Sequence, residues 1–307
     1  MFEARCIIVS LACFFLLYSA LSAFVCLGWN LFCHRLRERP SDLLFALRIM
    51  PMVVSVSVTL GFVVPSFLLL EPRSIYEPLG TVLVTLGFGC LSLLVWGLCR
   101  GVIAQVKTSH ALAAWLTGAS RIEMRTRVPV FRTDTDLPAV IVSGVWKPRI
   151  LVSDAALSLL TPAELRTALK HETAHVRYFD NLRKLLFRFS AFPGMARLEA
   201  AWSEAAEMAA DDAAVSNFTD ALDLASALIK LSRLSPIQVS SHLTTALLSN
   251  SLPLRLERLF AWHKKRRTED RPKRSLYALL VVTMIVLVST YPDLLLRVHA
   301  VTEWLVR

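Results

Sequence analysis

Four stretches of this chain carry no charged residue at all: Cys6–Cys33, Ile49–Leu70, Pro78–Cys99 and Ser275–Pro292. A helix that crosses the hydrocarbon core of a bilayer needs roughly 20 apolar residues. The first three stretches meet that length, and the fourth meets it by continuing past Asp293 through Leu296. Buried helices of a soluble core are rarely this long and uninterrupted. Pro51 and Pro65 sit near the ends of the second stretch, where a spanning helix tolerates proline as a kink. The first stretch is about twice as long as the apolar region of a cleaved leader, so it reads as a retained span.

Composition agrees with this arrangement. The chain is 55% hydrophobic and 19% charged, with a formal net charge of +10, which excludes a disordered chain. The basic excess has an address. Residues 100–274 hold 26 Lys and Arg against 17 Asp and Glu. Basic residues gather beside the spans: Arg35, Arg37, Arg39 and Arg48 after the first, and Lys264–Lys265–Arg266–Arg267 with Arg271, Lys273 and Arg274 before the fourth. The loop after the second span holds one basic residue, Arg73. The positive-inside rule then places the N-terminus outside, residues 100–274 in the cytoplasm and the C-terminus outside. Arg5 alone runs against this orientation. The same clustering accounts for the charge without nucleic acid. All six cysteines lie in the first three spans or at their ends, so neither a disulfide framework nor a cysteine-based zinc site is expected.

The expected organisation is three transmembrane helices in 1–99, a cytoplasmic domain in 100–274, a fourth transmembrane helix in 275–296 and a short extracytoplasmic tail in 297–307. Within the cytoplasmic domain, Arg100–Arg127 reads as an amphipathic continuation of the third span. Val128–Arg132, Ala139–Ser143 and Arg149–Val152 are short apolar runs punctuated by Gly144 and Pro148, which predicts a small antiparallel sheet with a hairpin. The strand at Ala139–Ser143 is expected to offer an open edge to an extended peptide. Ser153 or Asp154 caps a short helix over Ala155–Leu160. Thr161-Pro162-Ala163-Glu164 marks a stronger helix start, with Thr at the cap, Pro at the first turn and Glu three residues on. That helix is predicted to run from Pro162 to about Arg183.

It contains His171-Glu172-Thr173-Ala174-His175. Two histidines four apart project from one helix face and can hold one zinc ion, while Glu172 stands at the adjacent edge, placed to take a proton from a water on the metal. A catalytic zinc site needs a third protein ligand. The Ala-rich helical stretch Ala196–Val215 supplies Glu204, Glu207, Asp211 and Asp212. Glu207 and Asp211 share a face, and a carboxylate turned into a packed helix pair is costly unless it meets a cation. Glu204 and Asp212 read as a solvated acidic face. Tyr178 and His242 are the weak candidates for stabilising an oxyanion, and His110 and His263 read as structural or solvent-facing.

The run from His171 to Leu182 resembles the HExxH-x-x-R-x-D-N/x-L pattern of the BlaR/MecR-type antirepressor membrane metallopeptidases. Thr173 stands where leucine is usual, and Tyr178-Phe179 surround a usually basic position. Glu207-Met208-Ala209-Ala210-Asp211 resembles that family's E-x-A-C/A-D motif, and Gly144–Ile150 its G-x-x-x-P-x-I turn. The three-plus-one order of spans matches as well. The resemblance implies an α-helical membrane protein with an α+β, zincin-like metalloprotease domain in a bacterial plasma membrane. It implies one zinc ion on His171, His175 and Glu207, with Glu172 as general base and then general acid. Asp211 would orient a ligand histidine, and Asp180 would have a supporting or structural role. The implied substrate is a cytoplasmic repressor of the BlaI/MecI type, or the enzyme itself, with Ser235–Pro253 as a possible self-cleavage segment. Membrane lipid and a second copy in a homodimer are the other expected partners. Only Asp293–Arg307 follow the last span, so sensing through an extracellular penicillin-binding domain is not expected. A quality-control protease of the HtpX or CAAX type shares HExxH and the downstream Glu-x-x-x-Asp, but not the extended run after His175. A non-catalytic membrane scaffold would not require the intact HExxH with Glu207.

Overall fold

The computed structural model describes residues 2–36, 39–72, 80–124, 126–134, 140–234, 245–246, 252–262 and 289–304. The chain is mostly helical, with a small five-stranded sheet. It divides into two compact units. One comprises Met1–Gly28, Ile49–Trp96 and Arg266–Arg307; the other comprises Trp29–Arg48 and Gly97–Lys265.

Among the described residues three helical stretches are long and apolar enough to cross a membrane: Phe2–Leu36 (α1), Ser41–Leu70 and Thr81–Leu116 (α4). The middle one is not a uniform helix. It runs as α2 (Ser41–Val58), a π-helical turn at Thr59–Val63 and α3 (Val64–Leu70). The widened turn lies just before Pro65, which has no N–H to donate to the Gly61 carbonyl. The Tyr291 hydroxyl donates to that carbonyl instead, at 2.9 Å, and its ring lies against Phe62. Tyr291 belongs to a helix over 289–304 (α11), so the residues read as a short tail are helical as far as 304. Most of the expected fourth span, 275–288, lies outside the described residues. In the same unit Arg5 pairs with Glu71 at 3.2 Å, both side chains nearly buried. All six cysteines are free thiols.

The second unit is built on the sheet. α4 ends at Leu116, short of the expected Arg127. Gly118 takes a left-handed φ of 79°, and the chain enters β1 (Ser120–Ile122). β2 (Val130–Thr133), β3 (Val140–Ser143) and β4 (Arg149–Ser153) follow close to the predicted runs. Gly144, at φ 98°, opens the β3–β4 turn. A Cβ there would press on the Lys147 carbonyl. The sheet is mixed rather than antiparallel: its order is β1-β2-β4-β3-β5, and β2 pairs with β4 in parallel. β3 also differs from expectation. It is flanked by β4 on one side and by β5 (Thr245–Ala246) on the other, so it is an interior strand with no open edge. β5 comes from the segment expected to be a loop.

Val130, Val140, Val142, Ile150 and Val152 form one sheet face. They pack on α5 (Asp154–Leu159), α6 (Pro162–Arg177), α9 (Phe218–Leu234) and α10 (Leu252–Phe260). Ser153 caps α5 by accepting from Ala156 N, while Asp154 pairs with Arg132. The predicted capping box opens α6. Thr161 Oγ1 accepts from Glu164 N, and the Glu164 carboxylate accepts from Thr161 N. Glu164 also accepts from Ser226 and Lys230 of α9, which locks α6 to α9 at the start of the helix carrying HExxH. Two further elements, α7 (Asp180–Phe189) and α8 (Ala196–Ala214), complete the unit. Arg48, read from sequence as a loop charge, is buried: it donates to Glu199 of α8 and to the Ser190 carbonyl after α7.

Glu164→Ala removes half of the capping box and the partner of Lys230. It is expected to destabilise the protein by about 1–2 kcal/mol, the usual cost of losing a cap. Thermal unfolding of the detergent-solubilised chain checks this, and an unchanged midpoint would contradict the role given to Glu164.

Candidate metal centre

The predicted helix from Pro162 to Arg183 is in fact two helices. α6 stops at Arg177, Tyr178 is its C-cap, and Phe179 adopts a left-handed backbone (φ 57°, ψ 35°) before α7 begins at Asp180. A continuous helix would carry Asp180 away, because residues five apart are not stacked on one face. The turn at Phe179 instead folds Asp180 back, so that its Oδ2 lies 2.6 Å from His175 Nδ1. Phe179 is the one described non-glycine residue with a positive φ.

α8 packs beside α6 and brings two carboxylates to the same place. Asp211 Oδ1 lies 2.8 Å from His171 Nδ1. Each histidine therefore has its Nδ1 against a carboxylate, which favours the Nδ1–H tautomer and leaves Nε2 as a lone pair. The two Nε2 atoms face one another at 3.1 Å. Glu207 closes the group, its Oε2 3.5 Å from His171 Nε2 and its Oε1 3.7 Å from His175 Nε2. All three residues are buried and offer ligand atoms within 4.8 Å of one another. Zinc bonds of 2.0–2.1 Å in a tetrahedral site place neighbouring ligand atoms roughly 3.3 Å apart, so spacing and ligand types both suit that ion.

Glu172 is fully buried, and among the described residues neither of its carboxylate oxygens has a hydrogen-bond partner. Such a group is rare in a folded protein and calls for a partner such as an ion or a water. The local charge balance points the same way. Glu172, Asp180, Glu207 and Asp211 are four buried carboxylates. Arg255 is the buried guanidinium that pairs with two of them, while burial disfavours the charge on Lys184. A divalent cation would offset negative charge held here.

Neither Arg255 nor Lys184 was legible as part of the site. Arg255 sits on α10, is 1% exposed, and donates Nη1 to Glu207 Oε2 at 2.9 Å and Nε and Nη2 to Asp211 at 2.8 and 2.7 Å. Sequence shows only an arginine in a charged amphipathic helix. Of the other candidates, Glu204 is half-buried and outside the group, and Asp212 is exposed and pairs with Arg258. His110 is exposed on α4. His242 and His263 lie outside the described residues.

Burial pushes Glu172 up to about 8, against the pull of the His171 charge. Burial opposes protonation of His171, but Asp211 and Glu207 outweigh it and raise that imidazole to about 9. Burial holds His175 below its ordinary value. Glu207 is held well below the carboxylate range, where the charges of His175, His171 and Arg255 overcome its burial. Asp211 is lowered in the same sense, chiefly by Arg255 against burial.

A carboxyl raised on folding contributes stability that is present below its unfolded pKa and is lost as pH rises through the folded value. For Glu172 that window runs from the ordinary carboxylate range up to about 8. In chelator-treated protein, the thermal midpoint of Glu172→Gln relative to the parent chain is therefore expected to rise between about pH 5 and pH 9. A difference that stays constant across that range would contradict it.

No curated protein matches the chain in a sequence search. A family model described as BlaR1 peptidase M56 matches residues 81–259, a range that holds α4, the sheet and every residue of the cluster. With more than half of its length matched, the chain belongs to the BlaR1 peptidase M56 family of membrane metallopeptidases.

Proposed function

We propose that this chain is an integral-membrane zinc endopeptidase that cleaves a cytoplasmic protein. The observation that carries the reading is the convergence of His171 Nε2, His175 Nε2 and the Glu207 carboxylate beside an unpartnered, buried Glu172. In this reading His171, His175 and Glu207 hold one zinc ion in a zincin-like site of the gluzincin type. When bound, zinc supplies Lewis acidity to an attacking water and a scissile carbonyl. Glu172 takes the proton of that water and delivers it to the departing amine nitrogen. Asp180 holds the Nδ1–H of His175 by a hydrogen bond, and the Asp211 carboxylate 2.8 Å from His171 Nδ1 favours the same tautomer there by its charge, which keeps both Nε2 lone pairs turned inward. Arg255 occupies Oε2 of Glu207 and leaves Oε1 for the ion.

The proposed setting is a bacterial plasma membrane, with spans in 1–99 and 275–296 and the peptidase domain of 100–274 in the cytoplasm. The charge distribution beside the spans supports that orientation, and the Arg5–Glu71 pair neutralises the one basic residue that ran against it. The proposed substrate is a repressor of the BlaI/MecI type, in keeping with the family, or the chain itself. Membrane lipid surrounds the spans, a homodimer is the proposed assembly, and no nucleic acid is bound directly.

Glu172→Ala is expected to keep about one zinc per chain and to lose proteolysis by at least about 100-fold. Metal analysis and a comparison of cytoplasmic fragments in cells bearing either chain read the two arms, and a variant that still cleaves would sink the mechanism. Glu207→Ala is expected to lower the zinc content. Unchanged content would remove Glu207 from the ligand set.

A further inference from the structure

α6 presents a second functional face. On the side of the helix turned away from the metal-facing residues, roughly 180° around it, it lines a cavity of about 1020 Å³ together with Met124, Thr126 and Arg127 and with Ala213 of α8. Thr173 and Ala174 on this wall are the chain neighbours of Glu172 and His175. The floor is apolar, formed by Met124, Leu165 and Leu169. The remaining charge is of one sign: Arg127, Arg166, Lys170 and Arg177 line the cavity, and among the described residues no acidic side chain does. Lys170 is paired with Asp220 at 3.2 Å. Arg127, Arg166 and Arg177 are exposed and have no ion-pair partner among the described residues.

We infer that this cavity binds an acidic, partly apolar segment of the protein that the peptidase cleaves, away from the scissile bond; the inference rests on the peptidase reading above. Like charges gathered in a concave, low-dielectric wall focus a positive potential that an anionic partner relieves. Three of the four cations are arginines, whose planar guanidinium takes a carboxylate through two parallel hydrogen bonds. The apolar floor asks for side chains that a simple anion lacks, and a volume at the upper end of ordinary ligand pockets exceeds what one phosphate fills. Position selects a substrate segment over a lipid headgroup. The wall is the opposite face of the helix that carries both histidines, so an occupant is held about one helix diameter, roughly 10 Å, from the metal-facing residues, and the rest of its chain is kept near them at high local concentration.

The test uses the full chain with Glu172→Ala in phosphatidylcholine nanodiscs and a fluorescent peptide of alternating Glu and Leu, with a Lys-Leu peptide as counterpart. Anisotropy is expected to show binding of the acidic peptide alone, weakening as salt rises. Arg127→Glu/Arg166→Glu is expected to weaken binding by at least about tenfold at unchanged zinc content. Arg127→Lys/Arg166→Lys is expected to retain most of it. If the charge-reversed chain loses its metal, Arg127→Gln/Arg166→Gln gives the reading in its place. Equal binding of the two peptides, or unchanged binding by the neutralised or reversed chain, overturns the proposal. Replacing the lipid with phosphatidylglycerol and finding the acidic peptide displaced assigns the cavity to lipid headgroups and overturns it too. Because cleavage plays no part in the assay, a parent chain that binds the peptide yet cleaves nothing refutes the peptidase reading and leaves the acidic-peptide site standing.

Discussion

Two imidazole nitrogens held 3.1 Å apart in a buried site, each with its other nitrogen against a carboxylate, form an arrangement that repels itself. With Nδ1 protonated on both rings, the facing Nε2 atoms are lone pairs, and Glu207 adds a carboxylate to the same point. Hydrogen bonds among these atoms cannot satisfy all three. A proton on His171, favoured by Asp211 and Glu207 against burial, eases the conflict in part. A divalent cation would take both lone pairs and the Glu207 carboxylate at once. The architecture of the second unit can be understood as the means of holding this conflict in place.

Each element contributes a specific restraint. The sheet gives α6 an apolar seat through Val142, Ile150 and Val152, and the Glu164 network locks the start of that helix against α9. The left-handed turn at Phe179 returns Asp180 to His175. Ala206 and Ala210 on α8 are buried small residues that keep little bulk between that helix and its neighbours while Glu207 and Asp211 project from the same side. α10 inserts Arg255 between these two carboxylates. That buried guanidinium is hydrogen-bonded on three nitrogens, as a buried charge must be if its desolvation is to be offset.

The same helix thus serves two kinds of chemistry on two faces. Its inner face is crowded with buried groups that need a cation. Its opposite face is lined by exposed guanidinium groups that have no ion-pair partner among the described residues, the face we infer to take an anionic segment. Lying on opposite sides of the helix, roughly 180° apart, lets both coexist without neutralising one another.

Much of this was readable from residue order. Uncharged runs longer than a core helix specify spans whatever surrounds them, because bilayer thickness is an external length. Thr161-Pro162-Ala163-Glu164 specifies a helix start through contacts three residues apart, and the i, i+4 spacing of His171 and His175 places both on one face. Each of these is local. The parallel pairing of β2 with β4, the enclosure of β3 by β5, and the breaks at Gly118 and Phe179 were not readable in this way. Strand partners are chosen by how apolar faces pack, and a left-handed phenylalanine is held by the surrounding contacts rather than by its own preference. Arg255 shows the limit most clearly. It stands 44 residues from Asp211 in sequence, and nothing local distinguishes it from Arg258 one turn on. Residue order named the residues that converge in the candidate metal site. Only the tertiary fold decided which distant cation keeps their carboxylates in register, because buried charges are paired through space and not along the chain.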